Sequence, residues 1–327
     1  MTEVLHEIPE NPLPEIHAAG YFKSHDGLDL RYALFKAKTS PPKGTVVLAQ
    51  GRNESIEKYA ETIKDLVDAG LWVAAFDWRG QGGSARLLKN RRLGHVRRLR
   101  DYERDLDAFL EKIVLPDAKL PFFLVAHSLG GLVSLYAAPR LANRIERMVI
   151  SAPFLGLSSS RPAPGFVRFV ARLACLFGMG RRASTGDRDH SNFAGNPLTS
   201  DPVRFARNQA LLARFPDIAL GPPTWRWLYE CLKAIGRVTK PQYLQSLKIP
   251  TIVLAPTRDR VASYPQMEEM GRYFRAGKVI PIDGSEHEIF QEADKYRAQA
   301  IAALLAFIPG GMAEPMSLNS GDDHPSG

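Results

Sequence analysis

The chain has 327 residues, 45% of them hydrophobic and 24% charged, which is material for one large domain or two smaller ones. Forty-three lysines and arginines against 35 acids leave a net charge of +8 and a pI of about 9.5, a balance that favours anionic partners without choosing among them. Two cysteines in unrelated contexts, Cys175 and Cys231, rule out a disulfide framework or a cysteine metal site. The acidic first residues do not read as a signal peptide, and no apolar run approaches the roughly 18 residues of a bilayer span, so a cytoplasmic protein, free or peripheral at the inner face of a membrane, is expected.

In chain order, residues 1–17 are rich in proline and glutamate and read as a loose N-terminal arm. Tyr21-Phe22 and Leu28 to Phe35, joined through Asp26-Gly27, read as a β-hairpin. Thr45 to Ala49 is a short buried strand, and Ile56 to Ala69 has helical apolar spacing ended by Gly70. Leu71 to Trp78 is another strand. Arg86 to Arg100 is an intensely basic loop, either solvated or able to attract phosphate head groups. A helix over Asp101–Val114 leads to the apolar strand Phe122–Val125, and Ile145–Ser151 is a further strand. This alternation implies a mostly parallel sheet with helices on both faces, that is, an α/β fold.

The rhythm stops near Leu157. Some ninety residues of proline-, arginine- and aromatic-rich helical sequence follow, and then a strand at Ile249–Leu254, a helix at Tyr264–Ala276, a strand at Lys278–Asp283 and a closing helix at Asp294–Ile308. The expected organisation is a core of residues 18–157 and 248–310, a helical lid inserted at 158–247, and a polar, disordered tail at 311–327. Residues 165–177 carry arginines on an otherwise apolar helix, which suits either a membrane interface or a lid packed over the core. Phe169, Trp225 and Trp227 are candidate substrate-binding residues there, with lid packing the alternative.

Ala126-His127-Ser128-Leu129-Gly130 stands between the Phe122 strand and a helical run. Strand, sharp turn and helix with serine at the apex make the nucleophile elbow of the α/β-hydrolases, although Ala126 stands where the G-x-S-x-G pattern has glycine. A serine hydroxyl needs a base, and the base an orienting acid. Of the histidines after Ser128, His324 lies in the tail and His190 in the lid, whereas His287 follows the last strand. Asp259, after the Leu254 strand, is the candidate acid, and Asp283, four residues before His287, is its competitor. Backbone N–H groups of Leu129 and of Arg52, in the turn after the Thr45 strand, would hold the oxyanion. This chemistry needs no metal or organic cofactor.

Gln50-Gly51-Arg52-Asn53-Glu54-Ser55, Phe76-Asp77-Trp78-Arg79-Gly80-Gln81-Gly82-Gly83-Ser84 and Ala126-His127-Ser128-Leu129-Gly130-Gly131 resemble the lysophospholipase and monoacylglycerol lipase group of α/β-hydrolases, in particular bacterial lysophospholipases of the L2 type. The resemblance covers about residues 15–157 and 248–308. Members usually have His-Gly and a further glycine at Gln50-Gly51-Arg52, and glycine at Ala126. It implies a Ser128–Asp259–His287 triad, an oxyanion hole at Arg52 and Leu129, and a lipid ester substrate, with lysophospholipids first. Monoacylglycerols, small esters, or a binding protein that has lost activity are the alternatives. No nucleic-acid motif accompanies the basic charge, so nucleic acid is not an expected partner; oligomeric state has no signature here.

Overall fold

A computed structural model describes residues 4–157, 163–186 and 192–308. The tail read at 311–327, with His324, and His190, read as part of the inserted segment, lie outside the described residues. Eight strands form one sheet: β1 Ile16–Lys23, β2 Asp29–Phe35, β3 Thr45–Ala49, β4 Trp72–Phe76, β5 Phe122–His127, β6 Arg147–Ser151, β7 Thr251–Pro256 and β8 Gly277–Ile282. Their order is β1-β2-β4-β3-β5-β6-β7-β8. The β1/β2 and β2/β4 pairs are antiparallel, and from β4 to β8 every pair is parallel.

The β3, β4, β5 and β7 strands are buried at every position, which is why they read as continuous apolar runs rather than alternating ones. Alternate residues serve two cores. Val47, Ala49, Leu124, Ala126, Met148 and Ile150 face one cluster with α2 Leu99–Phe109 and α4 Leu129–Leu141. Val46, Leu48, Phe123, Val125 and Val149 face the other, with α1 Ala60–Asp68 and α10 Asp294–Phe307. The α2 helix continues through a π-helical turn, Leu110–Val114, into the single turn α3 Leu115–Asp117. Between β6 and β7 the chain runs through α5 Pro164–Leu176, α6 Pro202–Arg214, α7 Trp225–Val238 and α8 Pro241–Ser246, and α9 Tyr264–Tyr273 joins β7 to β8.

Two expectations change. The stretch read as a loose arm is tied down where it is described: Leu5 and Ile8 are buried, Ile8 packs with Leu211 and Ile218, and the buried Asn11 side chain donates to the Glu57 carbonyl at 2.6 Å. Its few apolar residues find pockets that the composition of the segment hides. In the basic loop, Arg86 turns inward to donate to the carbonyls of Gly80, Gly82, Asp217 and Ala219, so part of that charge is structural.

The strand order places the site. The chain leaves β3 towards β4 on one side, and β5 to β8 build on the other, so the loops after β3 and β5 part company at adjacent strand ends. In open parallel sheets that reversal opens a cleft at the carboxyl edge. Ser128 follows β5 at this edge, and the turn Gln50–Ser55 follows β3 beside it.

Candidate active site

Ser128 sits between β5 and α4 with φ +48° and ψ −108°, outside the usual backbone wells. Such conformations cost on the order of 1–3 kcal/mol and persist only where neighbours over-determine them. Here the Ser128 N–H donates to the Ser151 carbonyl at 3.0 Å, and its carbonyl accepts from the Phe154 N–H at 3.0 Å. Two glycines let the helix start against the sheet. A Cβ on Gly130 would overlap the Ala49 carbonyl and lie 2.7 Å from that of Gln50, and one on Gly131 would lie 2.6 Å from Ile150 Cγ2. Ala126 needs no such allowance. It pairs with Ala49 and Ile150 as an ordinary strand residue, and its methyl is buried in the core.

The two histidine nitrogens of His287 divide their work. Nδ1 stands 2.7 Å from Asp259 Oδ2, and Nε2 stands 3.0 Å from Ser128 Oγ. A carboxylate only accepts, so Nδ1 carries the proton and Nε2 is left to accept from the serine hydroxyl. Asp259 is itself pinned: its Oδ1 accepts from the N–H groups of Val261 (2.7 Å) and Ala262 (2.8 Å), and its side chain is wholly buried. Burial works against the His287 imidazolium, but the charge and hydrogen bond of Asp259 outweigh it and hold the pKa above its ordinary value. Asp283 does not join this group; it is exposed and accepts from Thr257 Oγ1 at 2.9 Å.

Among the described residues, neither the Leu129 N–H nor the Arg52 N–H has a protein acceptor. Leu129 is the first residue of α4, where a free N–H is expected and the helix dipole favours negative charge. Of the aromatic candidates, Trp227 is buried and stacks on Phe154 at 6.1 Å, whose N–H holds the elbow carbonyl. Trp225 is half-buried at the start of α7, with its N–H on the Arg182 carbonyl. Phe169 is 57% exposed on α5 and is not brought to the Ser128 group.

Behind His287 lies a charged cluster with no role assigned from sequence. Glu54 accepts from the Gly51 N–H, from Lys58 Nζ at 3.1 Å and from Tyr59 OH at 2.7 Å, and Lys58 also reaches Glu288 at 2.6 Å. Burial would raise the Glu54 carboxyl, yet the Lys58 ammonium, with the hydrogen bonds from Tyr59 and Gly51, brings it down to about 2, while against the effect of burial the two acids push Lys58 up to about 12. The His127 ring lies 4.9 Å from that of His287 and is kept neutral by burial, which lowers its pKa to about 4. Ligand-type atoms of Glu54, His127 and Glu288 lie within 4.8 Å of one another, a set that could hold a cation; the Lys58 ammonium already stands against both of its carboxylates. The closeness of Glu54, Lys58 and Tyr59 in the chain was the local signal of this cluster.

These features coincide with known proteins. Residues 40–294 match the family model described as serine aminopeptidase, S33. The chain belongs to this α/β-hydrolase family. It is similar to lysophospholipase L2 of Escherichia coli strain K12, with 32% identity over 301 residues, covering 88% of this chain and 86% of the relative. It is also similar to the probable lysophospholipase L2 of Haemophilus influenzae, at 26% over 299 residues, covering 91% and 94%. The solved monoglyceride lipase of Saccharomyces cerevisiae has a TM-score of 0.73 at 21% identity, covering 92% of this chain and 97% of its own, and so shares the α/β-hydrolase fold. Among the described residues no helix is long and apolar enough to cross a membrane.

Proposed function

We propose that this carboxylic ester hydrolase releases the fatty acid of lysophospholipids through an acyl-enzyme on Ser128. The observation that carries the reading is the unbroken relay from Ser128 Oγ through His287 to the pinned Asp259. His287 Nε2 takes the hydroxyl proton as Oγ bonds to the ester carbonyl carbon. The N–H groups of Leu129 and Arg52 receive the oxyanion, each worth on the order of 3 kcal/mol of barrier. The tetrahedral adduct then collapses, His287 returns the proton to the leaving glycerol oxygen, and the C–O ester bond breaks. A water deprotonated by His287 attacks the acyl-enzyme and frees the acid. Asp259 orients the imidazole and stabilises its charged form throughout. The choice of lipid is supported by the similarity to the two L2 lysophospholipases.

The helices between β6 and β7 serve as the lid in this reading. On α5 and just beyond it, Phe166, Phe169, Leu176 and Phe177 are all more than half exposed, with Arg168, Arg172, Arg181 and Arg182 exposed beside them. That mixture of apolar rings and cations suits the interface of an anionic membrane. Both cysteines are unpaired, in keeping with a reducing, cytoplasmic setting at the inner membrane face.

Two measurements test the proposal. A fluorophosphonate probe is expected to label the wild type and not Ser128→Ala; a folded wild type that stays unlabelled makes this a binding protein instead. Fatty-acid release from lysophosphatidylcholine is expected to exceed that from a monoacylglycerol of the same chain, and equal rates would move the assignment to a general lipid esterase, as the fold shared with monoglyceride lipases allows.

A further inference from the structure

Most buried cations of this fold have acids. Arg31 has Glu57 and Asp77, Arg79 has Asp26 and Asp105, and Lys58 has Glu54 and Glu288. Arg52, half-buried with its Nε enclosed, has none among the described residues. Its Nη2 donates to the Gly221 carbonyl, and its guanidinium carbon lies 5.4 Å from the centre of the Trp227 ring. Its buried Nε has no acceptor, and Nη1 donates to none among the described residues. The ionisable groups that face it, Tyr102 and Cys231, are both held neutral by burial. Desolvation lowers Arg52 itself to about 10, which leaves it charged at neutral pH.

A guanidinium taken from water without a counter-charge is costly. Arg86 also turns inward without an acid, but it donates to four carbonyls where Arg52 has one. The position of Arg52 gives the imbalance a use. Its own backbone lies in the turn after β3, beside the elbow, and the Trp227 ring under its guanidinium stacks on Phe154, which is bonded to the Ser128 carbonyl. Gly94 leaves room for the group on another side, since a Cβ there would come 3.0 Å from Nη2.

We propose that the Arg52 guanidinium is the specificity-determining group of the site, the counter-charge for the phosphodiester of a lysophospholipid whose acyl ester is held at Ser128. The assignment rests on the lysophospholipase reading. Arginine suits the task because its unspent N–H donors match phosphate oxygens, and a charge-assisted bond in a desolvated site discriminates strongly against a neutral substrate.

The decisive readout is a ratio. For one acyl chain, kcat/KM on a lysophosphatidylglycerol is divided by kcat/KM on the corresponding monoacylglycerol, in wild type, Arg52→Gln and Arg52→Lys. The glutamine variant is expected to lower this ratio by about 10- to 100-fold, whatever happens to the rate common to both substrates, and lysine to restore part of it. A ratio within threefold of wild type in Arg52→Gln overturns the proposal. A second arm needs no variant: glycerol 3-phosphate is expected to compete with a short neutral ester in the wild type, whereas glycerol at the same concentration does not, and equal effects, or none, overturn the assignment even if both variants fail to fold. Failure of the underlying reading looks different, because a wild type that neither labels with fluorophosphonate nor cleaves the neutral ester has no ester chemistry for Arg52 to direct.

Discussion

Replacing Asp259 by asparagine changes one atom type and, with it, the direction of a proton. The Oδ1 of Asp259 accepts from two backbone N–H groups at 2.7 and 2.8 Å, so an asparagine must keep its carbonyl oxygen there and turn its NH2 towards His287. That NH2 donates, so Nδ1 must become the acceptor and the ring proton moves to Nε2, which then cannot take a proton from Ser128 Oγ at 3.0 Å. The loss expected for a wrong tautomer in an otherwise intact relay is about 10⁴-fold in kcat, the figure measured for the equivalent change in a serine protease triad, or about 5 kcal/mol of barrier. The variant keeps its volume and both backbone contacts, so its thermal unfolding should lie near that of the wild type. The assay is hydrolysis of a soluble neutral ester, with the fluorophosphonate labelling rate as a check, and Asp283→Asn, whose amide oxygen can still accept the exposed bond from Thr257, as the control. An Asp259→Asn enzyme within tenfold of wild type, or an Asp283→Asn enzyme as damaged as it, would refute the assignment of the acid.

The base supplies a pH prediction. In the proposed mechanism His287 works deprotonated, and its pKa is held above the ordinary 6.5, chiefly by Asp259 against the effect of burial, so kcat/KM on a neutral ester should fall with decreasing pH through a limb above 6.5. In Asp259→Asn the residual activity should show that limb displaced to lower pH. At the elbow, Gly130→Ala should abolish probe labelling and lower Tm, because the new methyl meets the Ala49 carbonyl. Ala126→Gly, which restores the commoner motif residue, should keep labelling and cost about 1–2 kcal/mol in denaturant unfolding, since it loosens a buried strand and removes a methyl from the core. Arg31→Met should cost about 3–5 kcal/mol in the same measurement, because it strands Glu57 and Asp77, both wholly buried, without their cation.

The parts of this protein that were legible in its residues are those set by local physics. Continuous apolar runs revealed β3 to β5 and β7, because strands buried on both faces have no polar side to alternate with. The elbow was legible because a tight strand-to-helix turn demands small residues at fixed offsets, and Asp259 and His287 because they sit just past the ends of recognisable strands. The remainder depends on residues far apart in the chain. Lys58 meets Glu288 across 230 positions, and the guanidinium of Arg52 is judged only against Gly94, Trp227 and Gly221, none of which is near it in sequence. Apolar spacing says that a helix has a buried face but not what lies against it, so Phe169 and Trp227 looked alike as candidates. Only the packing of α5 and α7 left one on the surface and put the other beneath Arg52. The same holds for the N-terminal segment, whose proline-rich composition suggested looseness until Leu5 and Ile8 met their pockets. Composition averages over a stretch, whereas burial is decided one side chain at a time by what the folded chain brings opposite it.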